Sequence, residues 1–353
     1  MKRIVLKGGG TAGHVTPNIA LIPTLREMGY EINYIGSYEG IEKTLIGDYS
    51  IPYYGISSGK LRRYFSLKNF TDPFRVIKGF FEANKLMKSI KPDVVFSKGG
   101  FVSVPVVIAA HRNRIPVIIH ESDMTPGLAN KLCFSSANKI CCNFPETVEL
   151  LPKNKAVLSG SPIRSELLSG DRSAAVQFTG FKEEKPVVMV IGGSLGALNV
   201  NKAVRAILPK LLEKYNVIHL CGKGKVDEAY NGMEGYIQYE YIKDELKDLF
   251  AYADIVISRA GANAICELLA LKKPNILIPL PSKSSRGDQL LNAQSFEKQG
   301  FSKVITEENL TDELLLSSID EVYCNRDKYI DVMASSSLNN AIQIITGLIK
   351  QSK

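Results

Sequence analysis

The 353-residue chain contains no Cys-x-x-Cys, no Asp-x-Asp and no Gly-Lys-Ser/Thr. Each absence excludes a chemistry. Six cysteines without paired spacing, several of them in apolar runs, argue against a zinc site or a disulfide framework and for reduced thiols in a core. Without Gly-Lys-Ser/Thr after a glycine-rich turn there is no P-loop for ATP. Without Asp-x-Asp, a nucleotide diphosphate has no carboxylate pair with which to share a divalent cation. No metal and no cofactor is therefore expected. No run approaches the roughly 20 apolar residues that cross a bilayer. The early apolar stretch Ile4–Leu6 is too short for a signal peptide. The expectation is a cytoplasmic protein that does not span a membrane.

Acidic residues are in short supply, 36 against 44 Lys and Arg, for a net charge of +8. The imbalance is local. Nine basic residues fall between Lys60 and Lys91 against only Asp72 and Glu82, so that stretch carries +7. Concentrated this way, the charge is an electrostatic footprint for nucleic acid or an acidic membrane surface.

Short β-branched runs alternate with helical patterns. Arg3–Leu6, Ile32–Ile35, Val94–Ser97 and Val117–His120 read as strands, with helices at Pro17–Met28 and Val102–His111. The second half repeats the rhythm with strands at Val187–Ile191, Val217–Leu220, Ile255–Ser258 and Ile276–Pro279. Apolar strands separated by helices imply parallel sheets buried on both faces. Two strand ends open into glycine-rich turns, Gly8-Gly9-Gly10-Thr11-Ala12-Gly13-His14 and Gly192-Gly193-Ser194-Leu195-Gly196-Ala197. Each starts a separate doubly wound unit. The expected architecture is α/β: two Rossmann-like parallel-sheet domains, 1–161 and 162–336, facing one cleft. A last helix at about 337–353 is free to pack back on the first.

Gly8-x-Gly10-x-x-Gly13 formally fits the dinucleotide fingerprint. That fingerprint also needs an acid at the end of strand two, and Ile35-Gly36-Ser37 has none. A dehydrogenase reading is weakened accordingly. What survives is a loop offering backbone N–H groups to an anion or a sugar oxygen, with His14 at the loop–helix junction. The turn at Ser194 has the same physics and suits phosphate. A third junction, Ser258-Arg259-Ala260-Gly261-Ala262, leads to Glu267 in the second helical turn, where a carboxylate can accept from both hydroxyls of a ribose. A phosphate loop and a diol-reading acid in one domain point to a nucleotide. Arg259 reads as structural.

These motifs, with His120-Glu121, Gly127-Leu128-Ala129-Asn130-Lys131, Gly160-Ser161-Pro162-Ile163-Arg164 and Asp288-Gln289-Leu290-Leu291-Asn292-Ala293, run in order from Gly8 to Ala293. The ordered set resembles the MurG family of peptidoglycan N-acetylglucosaminyltransferases, enzymes of the GT-B fold. The resemblance implies an inverting hexosyltransferase. N-acetylglucosamine would pass from UDP-N-acetylglucosamine to the 4-hydroxyl of the muramyl sugar of lipid I, giving lipid II. It further implies that Arg164 and Ser194 meet the diphosphate, Ile242 the uracil, Glu267 the ribose, and Gln289 and Asn292 the donor sugar. Thr11, Ala12, Gly13 and Asn130 would close on the donor from the first domain. His14 is the candidate general base and Glu121 its rival.

A lipid-linked acceptor also gives the basic stretch a partner. Arg62, Arg63, Phe65, Lys68, Phe74, Arg75, Lys78 and Phe81 form a candidate patch in which aromatics enter an anionic membrane surface and cations meet its headgroups. The spacing Val76-Phe80-Ala83-Met87 fits one helix face packed on the sheet. The expected location is peripheral, on the cytoplasmic side of the cell membrane, with no nucleic acid partner.

Overall fold

The computed structural model describes residues 2–59, 68–182, 184–193, 196–282 and 287–352, with only the helical backbone of 68–71. Arg62, Arg63, Phe65 and Ser194 lie outside the described residues, as does the side chain of Lys68. The chain divides into two compact units, Met1–Arg164 with Asn340–Lys353, and Ser165–Asn339.

The first unit holds a seven-stranded sheet: β1 (Lys2–Lys7), β2 (Tyr30–Ser37), β3 (Tyr53–Ile56), β4 (Val94–Ser97), β5 (Val117–Glu121), β6 (Lys139–Cys142) and β7 (Ala156–Leu158). Their order is β3-β2-β1-β4-β5-β6-β7, every pairing parallel. Successive residues of the central strands supply opposite faces, as the period of two demands. Val5, Val95 and Ile119 pack into one core with Ala83, Met87, Val106 and Ala110. Ile4, Leu6, Phe96 and Ile118 pack into the other with Ile19, Ile22 and Leu25 of the helix Thr16–Glu27. The helix Ala341–Gln351 completes that second core, with Ile345 and Ile349 fully buried in it.

The second unit repeats the plan with β8 (Val187–Ile191), β9 (Asn216–Leu220), β10 (Tyr236–Tyr239), β11 (Ile255–Ser258), β12 (Asn275–Leu277) and β13 (Lys303–Val304). The order is β10-β9-β8-β11-β12-β13, again all parallel. Two parallel-sheet α/β domains are what the alternating pattern predicts.

The helix Lys68–Ile90 carries apolar residues on two sides. Ala83, Met87 and Ile90 are buried and Phe80 packs against them. On the other side Phe74, Ile77 and Phe81 are 73%, 54% and 65% exposed, among the exposed cations Arg75 and Lys78. Among the described residues no helix is long and apolar enough to cross a membrane. Of the six free cysteines five are buried and Cys324 is exposed.

Closure of the first unit by the last helix can be measured. Ile345→Ala removes all of the side chain beyond Cβ from a full core and is expected to cost about 3 kcal/mol. In calorimetry the transition of the first unit should fall while that of the second unit stays. An unchanged first transition would show that the helix does not carry the core.

Candidate active site

In a doubly wound sheet, ligands gather at the carboxyl ends of the strands where the winding reverses. In the first unit that point lies between β1 and β4, in the second between β8 and β11. The glycine-rich turns follow β1 and β8. The Ser258–Gly261 turn follows β11.

At the first point three turns crowd together. Gly100, at φ +84°, runs so close to the first turn that a Cβ there would sit 2.3 Å from the Gly9 carbonyl oxygen. Gly99, at φ +96°, would place one 3.3 Å from Asn130 Nδ2. The Ser97-Lys98-Gly99-Gly100 turn after β4 is thus a third wall of the site, one that sequence reasoning passed over.

His14 closes a short 3-10 turn, Ala12–His14, ahead of the helix. Its backbone N–H donates to the Thr11 carbonyl (3.1 Å) and its Nδ1 lies 3.0 Å from Thr11 Oγ1. Burial, then the charges of Lys98 and Lys7, push its pKa down to about 4, against a hydrogen bond to the Gly9 backbone and the carboxylate of Glu42. The imidazole is neutral at pH 7 and holds a lone pair for a proton.

Both lysines are fully buried. Lys98 Nζ donates to His120 Nδ1 and to Ser122 Oγ, each at 2.7 Å. An ammonium only donates, so Nδ1 accepts and the Nε2–H must donate to the Gly160 carbonyl, 2.9 Å away. Burial and Lys98 hold His120 neutral, well below the usual histidine range. Lys7, at the end of β1, has no hydrogen-bond partner for its Nζ. Burial lowers its pKa to about 7, with Glu42 opposing.

Glu121 is committed on both oxygens. Oε1 accepts from the N–H groups of Ser122 (2.8 Å) and Asp123 (3.2 Å), Oε2 from Gly127 N–H (2.9 Å) and Asn130 Nδ2 (2.8 Å). Burial still raises its pKa against those donors. Four donors fill a carboxylate. Glu121 ties the β5 turn to Asn130.

In the second unit the Gly192–Ala197 turn leads into the helix Leu198–Lys214, and Gly196 passes within 2.0 Å, Cβ to oxygen, of the Cys221 carbonyl. Only glycine fits there. Gly261 caps the helix Ala262–Ala270, which carries the half-buried Glu267. Arg259 is structural, as its sequence context suggests. It donates to the carbonyls of Ile278 (2.9 Å) and Pro279 and pairs with Glu307. Gln289 is half-buried, with Oε1 accepting from Leu280 N–H (3.1 Å). Asn292 is fully buried, and its Nδ2 donates to the Ala260 carbonyl at 3.3 Å. Asn292 braces the turn after β11. Ile242 is buried beside exposed Tyr241 in the loop after β10. Arg164 is half-buried at the end of the first unit, its Nε without a partner.

Residues 4–142 match the glycosyltransferase family 28 N-terminal domain and residues 187–348 the family 28 C-terminal domain. The two switch-point sites therefore belong to a glycosyltransferase. A relative from Lachnospira eligens is 64% identical over 350 residues, and one from Lachnoclostridium phytofermentans 65% identical over 351, with 99% of each chain covered. Both carry the name UDP-N-acetylglucosamine--N-acetylmuramyl-(pentapeptide) pyrophosphoryl-undecaprenol N-acetylglucosamine transferase. The crystal structure of Acinetobacter baumannii MurG superposes with a TM-score of 0.79 at 27% identity, covering 99% of this chain and 100% of that one. The UDP-GlcNAc 2-epimerase of Neisseria meningitidis shares the fold alone, with a TM-score of 0.70 at 12% identity. The chain belongs to the MurG N-acetylglucosaminyltransferases of family 28, as the ordered motifs suggest.

The buried ammonium of Lys7 makes stability depend on pH. Its folded pKa of about 7 lies below the ordinary 10.5, so between those values the unfolded chain binds more protons and stability rises with pH. Lys7→Met removes that penalty. Its melting temperature should exceed the parent's most at pH 7 and below, with the gap closing toward pH 10. A gap constant across that range would refute the assignment.

Proposed function

We propose that the chain transfers N-acetylglucosamine from UDP-N-acetylglucosamine to the 4-hydroxyl of N-acetylmuramic acid in lipid I, with inversion, giving lipid II for peptidoglycan. The observation that carries this reading is identity of 64–65% over 99% of the chain with relatives named for that transfer.

The acceptor oxygen forms its bond to the anomeric carbon as the bond to UDP breaks, and UDP leaves with the electron pair. His14 takes the hydroxyl proton. Its imidazole is neutral at working pH, and Thr11 fixes its ring. Glu121 is the weaker candidate because its oxygens are already saturated. Its work is to hold Asn130 and the β5 turn. Thr11, Ala12 and Gly13, in the first glycine-rich turn, and Asn130, in the helix Leu128–Cys133, supply the first unit's contacts to the donor.

The second unit takes the donor. The N-terminus of Leu198–Lys214 and the Ser194 turn favour the diphosphate and steady the charge that grows on it as UDP departs. Arg164, with its unpartnered Nε, adds a fixed positive charge. Glu267 accepts from the ribose hydroxyls, the Ile242 backbone meets the uracil, and Gln289 meets the sugar. Asn292 keeps the Ala260 turn in place.

The exposed row Phe74, Ile77 and Phe81, flanked by Arg75 and Lys78, supports docking on an anionic membrane. A water-facing helix gains nothing from such a row, whereas lipid accommodates it. This would hold the enzyme peripherally beside its lipid-linked acceptor.

Two experiments test these assignments. His14→Ala should lower kcat by about 10²–10³-fold, the worth of a general base, with KM for UDP-N-acetylglucosamine unchanged. Near-normal turnover would remove His14 from that role. Arg75→Glu combined with Lys78→Glu should weaken sedimentation with anionic vesicles by about tenfold or more, at about 1 kcal/mol per charge. UDP-N-acetylglucosamine binding should persist. Unchanged sedimentation would refute the patch.

A further inference from the structure

Strand β2 ends without an acid, yet a carboxylate stands in the first glycine-rich turn. It belongs to Glu42, on the short helix Ile41–Gly47, and it is fully buried. One oxygen, Oε2, accepts from Gly10 N–H at 3.2 Å. The other, Oε1, accepts from Ser37 N–H at 2.9 Å and Ser37 Oγ at 2.7 Å. Three glycines make room for it. A Cβ at Gly9 would lie 2.5 Å from Oε1, at Gly36 2.8 Å from Cγ, and at Gly40 2.2 Å from Oε2. The buried, unpartnered ammonium of Lys7 supplies the opposite charge.

Burying a carboxylate is costly unless donors surround it. Here one donor, the Gly10 N–H, belongs to the turn that carries His14, and the others are the N–H and hydroxyl of Ser37 at the end of β2. Gly10 precedes Thr11, and Thr11 holds His14 through both its carbonyl and its hydroxyl. We propose that Glu42 is a positioning residue of the transfer reaction: an internal anion that occupies the glycine-rich turn and, through Gly10 and Thr11, holds His14 in its reacting place. This rests on the reading of His14 as the base.

The test uses the full-length enzyme with UDP-N-acetylglucosamine and lipid I in mixed micelles, each variant's melting temperature being recorded. Glu42→Gln keeps the size but turns an amide NH2 or a single oxygen toward two sets of donors. We expect kcat to fall about tenfold or more, as displacement of a reacting group by a fraction of an ångström does. KM for UDP-N-acetylglucosamine should not change, and Glu42→Asp should recover part of the loss. Glu42→Ala opens a carboxylate-sized space, and formate should restore part of its kcat where chloride does not. Removing the carboxylate also leaves His14 facing Lys7 and Lys98 with only the Gly9 backbone in opposition. The acid limb of kcat should therefore move to lower pH in Glu42→Gln.

A folded Glu42→Gln with parental kcat overturns the proposal. So does a loss in a folded Glu42→Ala that formate leaves untouched. If Glu42→Ala does not fold, the kcat–KM split of Glu42→Gln decides. His14→Ala run alongside separates the two readings. Should it keep its turnover, the base assignment fails by itself, and formate rescue still judges Glu42.

Discussion

Charge taken out of water is the constraint on which the first unit depends. Lys7, Glu42, Lys98 and Glu121 all lie buried at the carboxyl ends of β1, β4 and β5 or in the turns and helix beside them. A hydrophobic core holds such groups only where partners or an opposite charge offset their burial; three of the four have hydrogen-bond partners, and Lys7 has the charge of Glu42. The turns are shaped to do so. Glu42 gathers Gly10 and Ser37, Glu121 gathers Ser122, Asp123, Gly127 and Asn130, and Lys98 reaches His120 and Ser122. The glycines are there because these carboxylates and the neighbouring turns occupy the space a Cβ would need. What presents itself in the sequence as a ligand loop is, on its inner side, already filled by the protein's own anion.

The second unit uses the same strand plan differently. The turn after β8 has no buried carboxylate among its described partners, and Gly196 is pressed instead against the Cys221 carbonyl. The charge beside the turn after β11 is settled by Arg259 with Glu307. In the turn after β8 the Gly196 N–H donates back to the Gly193 carbonyl at 2.8 Å, whereas in the first turn the Gly10 N–H goes to Glu42. Two similar glycine patterns are thus closed by different partners.

Much of this was legible beforehand. The central strands declare themselves because Val5, Val95, Ile119, Val188 and Ile257 sit in near-continuous β-branched runs, the mark of a strand buried on both faces. The edges do not. β3 contains Gly55, β7 has three half-buried residues, β10 includes Gln238 and β13 has two residues, so none shows a period. In the site, motifs local in sequence were visible and partners brought from a distance were not. Lys98 meets His120 across 22 positions and Glu42 meets Gly10 across 32. Nothing in the chain's order announces those meetings. Asn292 shows the converse: the motif is visible in the chain's order, but its full burial is not.

The path of the chain has one further consequence. The first unit is built from Met1–Arg164 and closed by Asn340–Lys353, with the whole second unit inserted between. During synthesis the strands of the first sheet emerge early, but Ile345 and Ile349, which seal one of its cores, emerge last. Until then the nascent N-terminal half presents the uncovered flank of its helix Thr16–Glu27 to solvent and to any chaperone there. The second unit can finish folding while its older neighbour waits.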